Sequence, residues 1–158
     1  MKKAAIIALV LGITAAGVVW RMHHARTPHP VEVSGFESDM TEGLLRGIFP
    51  ELKNASVCFV AFGEDKTEPS GAFITRFADS HPPVKSFKSS VLPPGGKILE
   101  ISTGRVGVIV QIISFKEYIP GTFDVLVALS TMPPGHDRFV YRVSNVTGEW
   151  IIKSRKPE

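Results

Sequence analysis

Cysteine is almost absent: Cys58 is the only one in the chain, so no intrachain disulfide can form. It lies in the apolar run Val57-Cys58-Phe59-Val60, which marks it as a buried small hydrophobe. A reactive thiol would need exposure and nearby cations. Pairing between chains stays open if the protein reaches an oxidising compartment. The signatures of familiar chemistry are missing too. No phosphate-binding glycine loop, HExxH, CxxC or GxSxG occurs, and Pro93-Pro94-Gly95-Gly96 lacks the Lys-Ser/Thr of a phosphate cradle. Residues 31–158 show no internal repeat and no low-complexity tract. Nor do they carry a surplus of charge. The first 30 residues hold Lys2, Lys3, Arg21 and Arg26 and no acid, leaving the other 14 Lys and Arg to face all 15 Asp and Glu. So near to neutrality, the folded part gives no support for nucleic-acid binding.

What is present is ordinary globular material. A chain of 158 residues, 44% hydrophobic and 21% charged, suits one domain and excludes collagen-like, coiled-coil and wholly disordered classes. Met1-Lys2-Lys3 opens it with positive charge, and an uncharged apolar run follows over residues 4–20. Its 17 residues reach the lower limit for a membrane span. No polar face interrupts it, and Trp20 before Arg21 has the character of an interfacial anchor. The expectation is an uncleaved anchor over residues 1–22, with Ala4, Leu9, Leu11, Val18 and Trp20 in the membrane. A linker over 23–37 and an extracytoplasmic domain over 38–158 would follow. That describes a single-pass inner-membrane protein with a periplasmic C-terminal domain. The alternative is a secretory signal cut after Thr14-Ala15-Ala16, releasing a periplasmic or secreted protein. Cations flank the run on both sides, so the positive-inside rule gives little guidance on orientation. No lipobox-type cysteine follows the run, which excludes a lipid anchor there. His23, His24 and His29 have no acidic or cysteine partner nearby and read as juxtamembrane linker, not as a metal site.

Asp39-Met40-Thr41-Glu42 resembles a capping box, and Met40, Leu44, Leu45, Ile48, Phe49 and Leu52 recur at helical spacing. Pro50 should end that helix near Phe49. Residues 56–62 are apolar on both faces, as in a short strand covered on both sides. Thr67-Glu68-Pro69 reads as a second helix start, with Phe73, Ile74 and Phe77 on one face and His81-Pro82-Pro83 as its stop. From Val84 onward the helical period is gone. Residues 98–101, 106–115, 123–129, 138–143 and 150–152 are rich in β-branched and aromatic side chains. Turn signals such as Pro120-Gly121 and Thr147-Gly148 part them. Short connections imply an antiparallel meander. The expected class is α+β: a curved antiparallel sheet of about five strands, two short helices on one face, and an N-terminal hydrophobic helix before them.

Arg138 and Arg142 share one face of a strand, with Lys153, Arg155 and Lys156 on the next. Together they form a candidate cationic patch for phosphate, a lipid headgroup or an acidic partner. The competing reading is the solvated face of any half-exposed sheet. Asp124, Glu100, Glu117 and Glu149 lie on or beside strands. A pair of them facing a pocket would do proton-transfer work if burial raised one pKa, with Tyr118 and Tyr141 donating to an oxyanion. Nothing in the spacing brings any two together, and the plainer expectation is a solvent-facing strand acid. His81 and His136-Asp137 sit in turn clusters, where polar residues serve the backbone. No catalytic residue, cofactor or metal site is assigned. The candidate binding residues are Arg138, Arg142, Lys153, Tyr118, Tyr141 and Asp124.

Four stretches carry a resemblance. They are Val57-Cys58-Phe59-Val60, residues 68–77, Ser102-Thr103-Gly104-Arg105, and Phe139-Val140-Tyr141-Arg142-Val143 leading to Gly148-Glu149-Trp150. Together they resemble small exported bacterial proteins of unknown function over most of residues 55–153. That resemblance implies an exported single domain and no activity. The helix-then-sheet order is also similar to the cystatin-like and nuclear-transport-factor-like α+β folds. Some members of those folds are isomerases or dehydratases and many only bind, so fold alone transfers no function. The leading expectation is a non-catalytic, membrane-anchored extracytoplasmic domain that binds a protein or cell-envelope component. The alternative is a small-molecule binder or lyase/isomerase with a pocket between sheet and helices. A third reading is a structural subunit of an envelope complex. The expected partners are the membrane, through the N-terminal segment, and an envelope protein.

Overall fold

The computed structural model describes residues 33–158, apart from Lys53, Gly95, Pro133 and Pro134. The expected anchor and N-terminal helix, with Ala4, Leu9, Leu11, Val18 and Trp20, lie outside the described residues. Among those described, no helix is long and apolar enough to cross a membrane.

Two helices come first, α1 (Val33–Phe36) and α2 (Asp39–Ile48), and a 3₁₀ turn over Phe49–Glu51 follows where Pro50 closes α2. Ser38 caps α2 in place of Asp39, its Oγ accepting from the Thr41 amide at 3.3 Å. Asp39 and Glu42 then lie in the first turn, where the helix dipole favours acids. Next come β1 (Val57–Phe62), α3 (Gly71–Thr75), β2 (Val84–Ser86), and the short strands β3 (Ser90–Val91) and β4 (Leu99–Glu100). Four long strands complete the chain: β5 (Gly107–Ile119), β6 (Thr122–Met132), β7 (Gly135–Val146) and β8 (Glu149–Pro157).

The result is an α+β domain with a mostly sheet core. Its main sheet has six strands in the order β2-β1-β5-β6-β7-β8. From β5 to β8 the pairing is an antiparallel meander. β1, however, runs parallel to both β2 and β5, so the sheet is mixed and not wholly antiparallel. All six residues of β1 are apolar and buried, and an interior slot is what covers both faces of such a strand. Residues 98–101 also leave the expected meander, since Leu99 and Glu100 pair with Val91 and Ser90 in a separate small sheet.

Both α2 and α3 pack on one face of the sheet. There Phe36, Leu44, Leu45, Ile48, Phe73 and Phe77 meet Phe62, Val110, Val125 and Tyr141 in one buried cluster. On the other face Val57, Phe59, Ile98 and Ile109 form a smaller cluster against Phe87, which covers β1 and the start of β5. Among the described residues, neither cluster takes a side chain from that second face of β6, β7 or β8.

Candidate binding surface

Alternation along the meander sets its uncovered face. Lys116, Asp124, Arg142 and Ser154 lie directly opposite one another across β5 to β8. Ser114, Leu126, Val140 and Lys156 form the neighbouring row. At the centre, Arg142 donates two parallel hydrogen bonds to Asp124, Nε to Oδ1 at 2.8 Å and Nη2 to Oδ2 at 2.9 Å. Such a fork fixes both partners in orientation. The guanidinium also stacks on Tyr118, 3.7 Å from the ring centroid. Hydrogen bonds from Arg142 hold the Asp124 carboxyl below its ordinary range, and the charges of Lys156 and Lys116 add to this. Neither lysine forms an ion pair among the described residues. Arg138 lies further along the same face, 3.5 Å from a Glu64 oxygen and 3.6 Å from one of Glu158.

The candidate set is therefore split. Tyr118, Asp124 and Arg142 come together, with Arg138 on the same face. Lys153 sits exposed at a bulge in β8, where the register against β7 shifts between Arg142 and Val143. The extra residue turns the rest of the strand over. Lys156 therefore joins the open face, while Arg155 lies opposite Tyr141 on the helix side. Tyr141 is fully buried. Its hydroxyl donates to Glu51 at 3.3 Å, and Arg155 pairs with the same carboxylate while stacking 3.6 Å over Phe139. Burial pushes the Tyr141 hydroxyl up to about 12, with the Glu51 charge as the next cause. Glu51 drew no attention in the sequence because its partners are 90 and 104 residues away.

Glu100 departs from the solvent-facing strand acid that was expected: only 1% of it is exposed. Lys85 and Thr103 bond to it, Arg105 reaches it at 2.9 Å and Ser102 at 3.2 Å. The Lys85 bond first, then those of Thr103 and Arg105, hold its carboxyl down to about 2. It staples the Ser102-Thr103-Gly104-Arg105 turn to β2. The Glu-x-x-Thr-Gly-Arg spacing around that turn was the available signal.

The space between sheet and helices, where a pocket was one alternative, is filled by phenylalanines. Phe36 stacks on Phe62 at 5.2 Å, Phe73 meets Phe62 at 5.6 Å, and Phe77 meets Phe73 at 5.3 Å. A cleft of about 370 Å³ remains at the rim, lined by Ser38, Asp39, Met40, Phe115, Phe123 and Trp150. Among the described residues, no group of three His, Cys, Asp or Glu side chains is placed to hold a metal ion. Compared with known protein families, curated proteins and solved structures, the chain matches none.

Proposed function

We propose that the domain is a non-catalytic binding module, held outside the cytoplasm by the N-terminal hydrophobic segment, that takes a protein or cell-envelope component on the open face of its meander. One observation carries this reading. The face has no covering element among the described residues, yet its centre is rigidly built: Arg142 is locked between Asp124 and Tyr118, with two lysines left over beside it. A fixed cationic surface selects for an anionic partner and steers its approach. Asp124 is ill suited to general acid–base work, which favours a carboxyl raised towards neutrality, whereas this one is shifted down.

The test is photo-crosslinking in the native host, from a photoreactive residue in place of Ser154 in the full chain. Adducts that disappear with Arg138→Ala plus Arg142→Ala support the reading. Adducts that persist unchanged with both arginines gone refute the surface. The small-molecule alternative draws support from the aromatic rim cleft. Native mass spectrometry of the full chain would reveal bound mass lost on denaturation if that cleft holds a ligand.

A further inference from the structure

β8 is one edge of the main sheet, and its two halves differ. After Ile152 come the bulge and Lys153, and at the end Pro157, which has no N–H. Bulges, lysines and prolines keep an edge from pairing. The first half, residues 149–152, has neither bulge nor proline. The two-residue turn Thr147-Gly148, at φ 55° and 91°, closes the β7–β8 hairpin on the pair Val146 and Glu149. Hydrogen-bonded and open pairs alternate from there, so the N–H and C=O groups of Trp150 and Ile152 point away from β7. Asn145, opposite Trp150, accordingly donates its amide to Gly121 on the β6 side at 2.9 Å. Among the described residues, neither Trp150 nor Ile152 has a backbone partner on its outer side.

α2 lies over this half-strand, with Gly43 against Trp150 and Gly47 against Ile152. A crevice of about 640 Å³ opens between the flank of the helix and the strand edge. Its lining is net acidic, with Asp39, Glu42 and Glu149 against Arg46. Arg46 is already engaged by Glu42, Asp79 and the Arg76 carbonyl. Glu149 is exposed and forms no ion pair among the described residues. Ile151, 39% exposed, lies between it and Lys153 on the other side of the strand from α2. A second copy of the chain would bring its own α2 over the adjoining strand. Neighbouring strands are about 4.8 Å apart, whereas packed helices need about 8–10 Å between axes. A bare extended segment meets no such conflict.

We propose that residues 149–152 take an extended segment of a partner protein as a further strand of the main sheet. It runs antiparallel to β8, the sense that is more stable per residue. Trp150 and Ile152 each donate one main-chain hydrogen bond to it and accept one. Side chains across the pair set the partner's chemistry. An apolar residue lies opposite Ile151, and an acid opposite Lys153. Cations lie opposite Glu149 and Trp150, the second on the α2 side, towards Asp39 and Glu42. This edge is apart from the open face of the meander, and neither reading needs the other.

The test follows hydrogen–deuterium exchange of the Trp150 and Ile152 amides in the full chain, held in detergent. The probe is the peptide acetyl-Glu-Thr-Ile-Lys-Lys-amide, and its control is the charge-reversed acetyl-Lys-Thr-Ile-Glu-Glu-amide. We expect both amides to exchange freely at first and to slow at about 1 mM probe, with the control at least about tenfold weaker. N-methylation of the threonine and the first lysine removes the probe amides that face β8 and should abolish the effect. N-methylation of the isoleucine, whose amide points away, should preserve it. No slowing with the probe overturns the proposal, as does equal slowing with the control. A probe that still binds with both facing amides methylated docks without adding a strand, which also overturns it. Amides already protected before any peptide is added would show the edge to be occupied. Sedimentation then assigns it to a second copy if the chain is a dimer, or to the chain's own upstream residues if it is a monomer, and either result overturns the proposal.

Discussion

Replacing Gly43 with alanine sets two effects against each other. Gly43 lies inside α2, where glycine costs about 1 kcal/mol relative to alanine, so propensity alone favours the change. A Cβ at this position would sit 2.6 Å from Cβ of Trp150 and 2.8 Å from its carbonyl oxygen. Neither atom is the end of a flexible side chain, so α2 itself must lift from β8. Overpacking of that kind costs about 1–3 kcal/mol, and a backbone obstacle places it in the upper part of the range. The net expectation is a loss of about 1–2 kcal/mol. At Gly47 the nearest atom is Cδ1 of Ile152 at 2.7 Å, which can rotate away, so the loss there is smaller. At Gly71, the first residue of α3, a Cβ meets nothing within 4 Å. Alanine there should be neutral or gain about 0.4–1 kcal/mol by restricting the unfolded chain. Urea unfolding of the full chain in detergent, followed by tryptophan fluorescence, gives the order. With a slope of about 1–3 kcal/mol per molar urea, Gly43→Ala should lower the midpoint by roughly 0.5–1 M. A Gly43→Ala protein as stable as the parent, or a Gly71→Ala protein less stable than Gly43→Ala, would show that the close approach of α2 to β8 is not what excludes a side chain.

Three further outcomes follow from the buried groups. Glu100 is held at about 2 in the fold against an ordinary value of 4.5. Its stabilising contribution is full above pH 4.5 and lost as pH falls towards 2. Glu100→Gln should flatten that acid limb in a plot of unfolding midpoint against pH, and an unchanged limb would contradict the network. Tyr141 is raised to about 12 from 10, so its contribution is complete below pH 10 and fades between pH 10 and 12. Tyr141→Phe should reduce that alkaline loss in a plot of unfolding midpoint against pH, and an unchanged loss would contradict its burial. Cys58 is fully buried, and desolvation takes its thiol up to about 12. It should react with a maleimide only after unfolding, and labelling of the native chain within minutes at neutral pH would refute its burial.

Local pattern carried most of the secondary structure. The helical spacing of Met40, Leu44, Leu45 and Ile48 marked a buried stripe, and all four are core residues. The turn signals separated the strands of the meander close to where they lie. What the pattern did not carry was long-range choice. That β1 joins the main sheet parallel to β5 depends on residues some fifty positions apart, and a two-sided apolar run names no neighbour. The candidate surface was legible to the same extent. Asp124, Arg142 and Tyr118 were singled out, but their meeting depends on the register of three strands. Arg155 and Lys156 were assigned to one patch, but neighbouring strand residues point to opposite faces, and the extra residue in β8 decides that Lys156 takes the open one. Glu100 was misjudged because strand acids are usually solvated, and its four donors come from β2 and a turn.

The place of β1 in the sheet bears on how the chain is made. Synthesis runs from the N-terminus, so Val57-Cys58-Phe59-Val60-Ala61-Phe62 emerges before the rest of the main sheet, without a charge or a proline. Its partner β5 begins only at Gly107. Until then only the three residues of β2 can pair with this aggregation-prone run, while the later hairpins can close within themselves as soon as they appear. Assembly would then run backwards along the chain, the meander forming as a template and β1 docking onto it. In the interval both faces of that run are open, an exposure that ends once the main sheet closes around it.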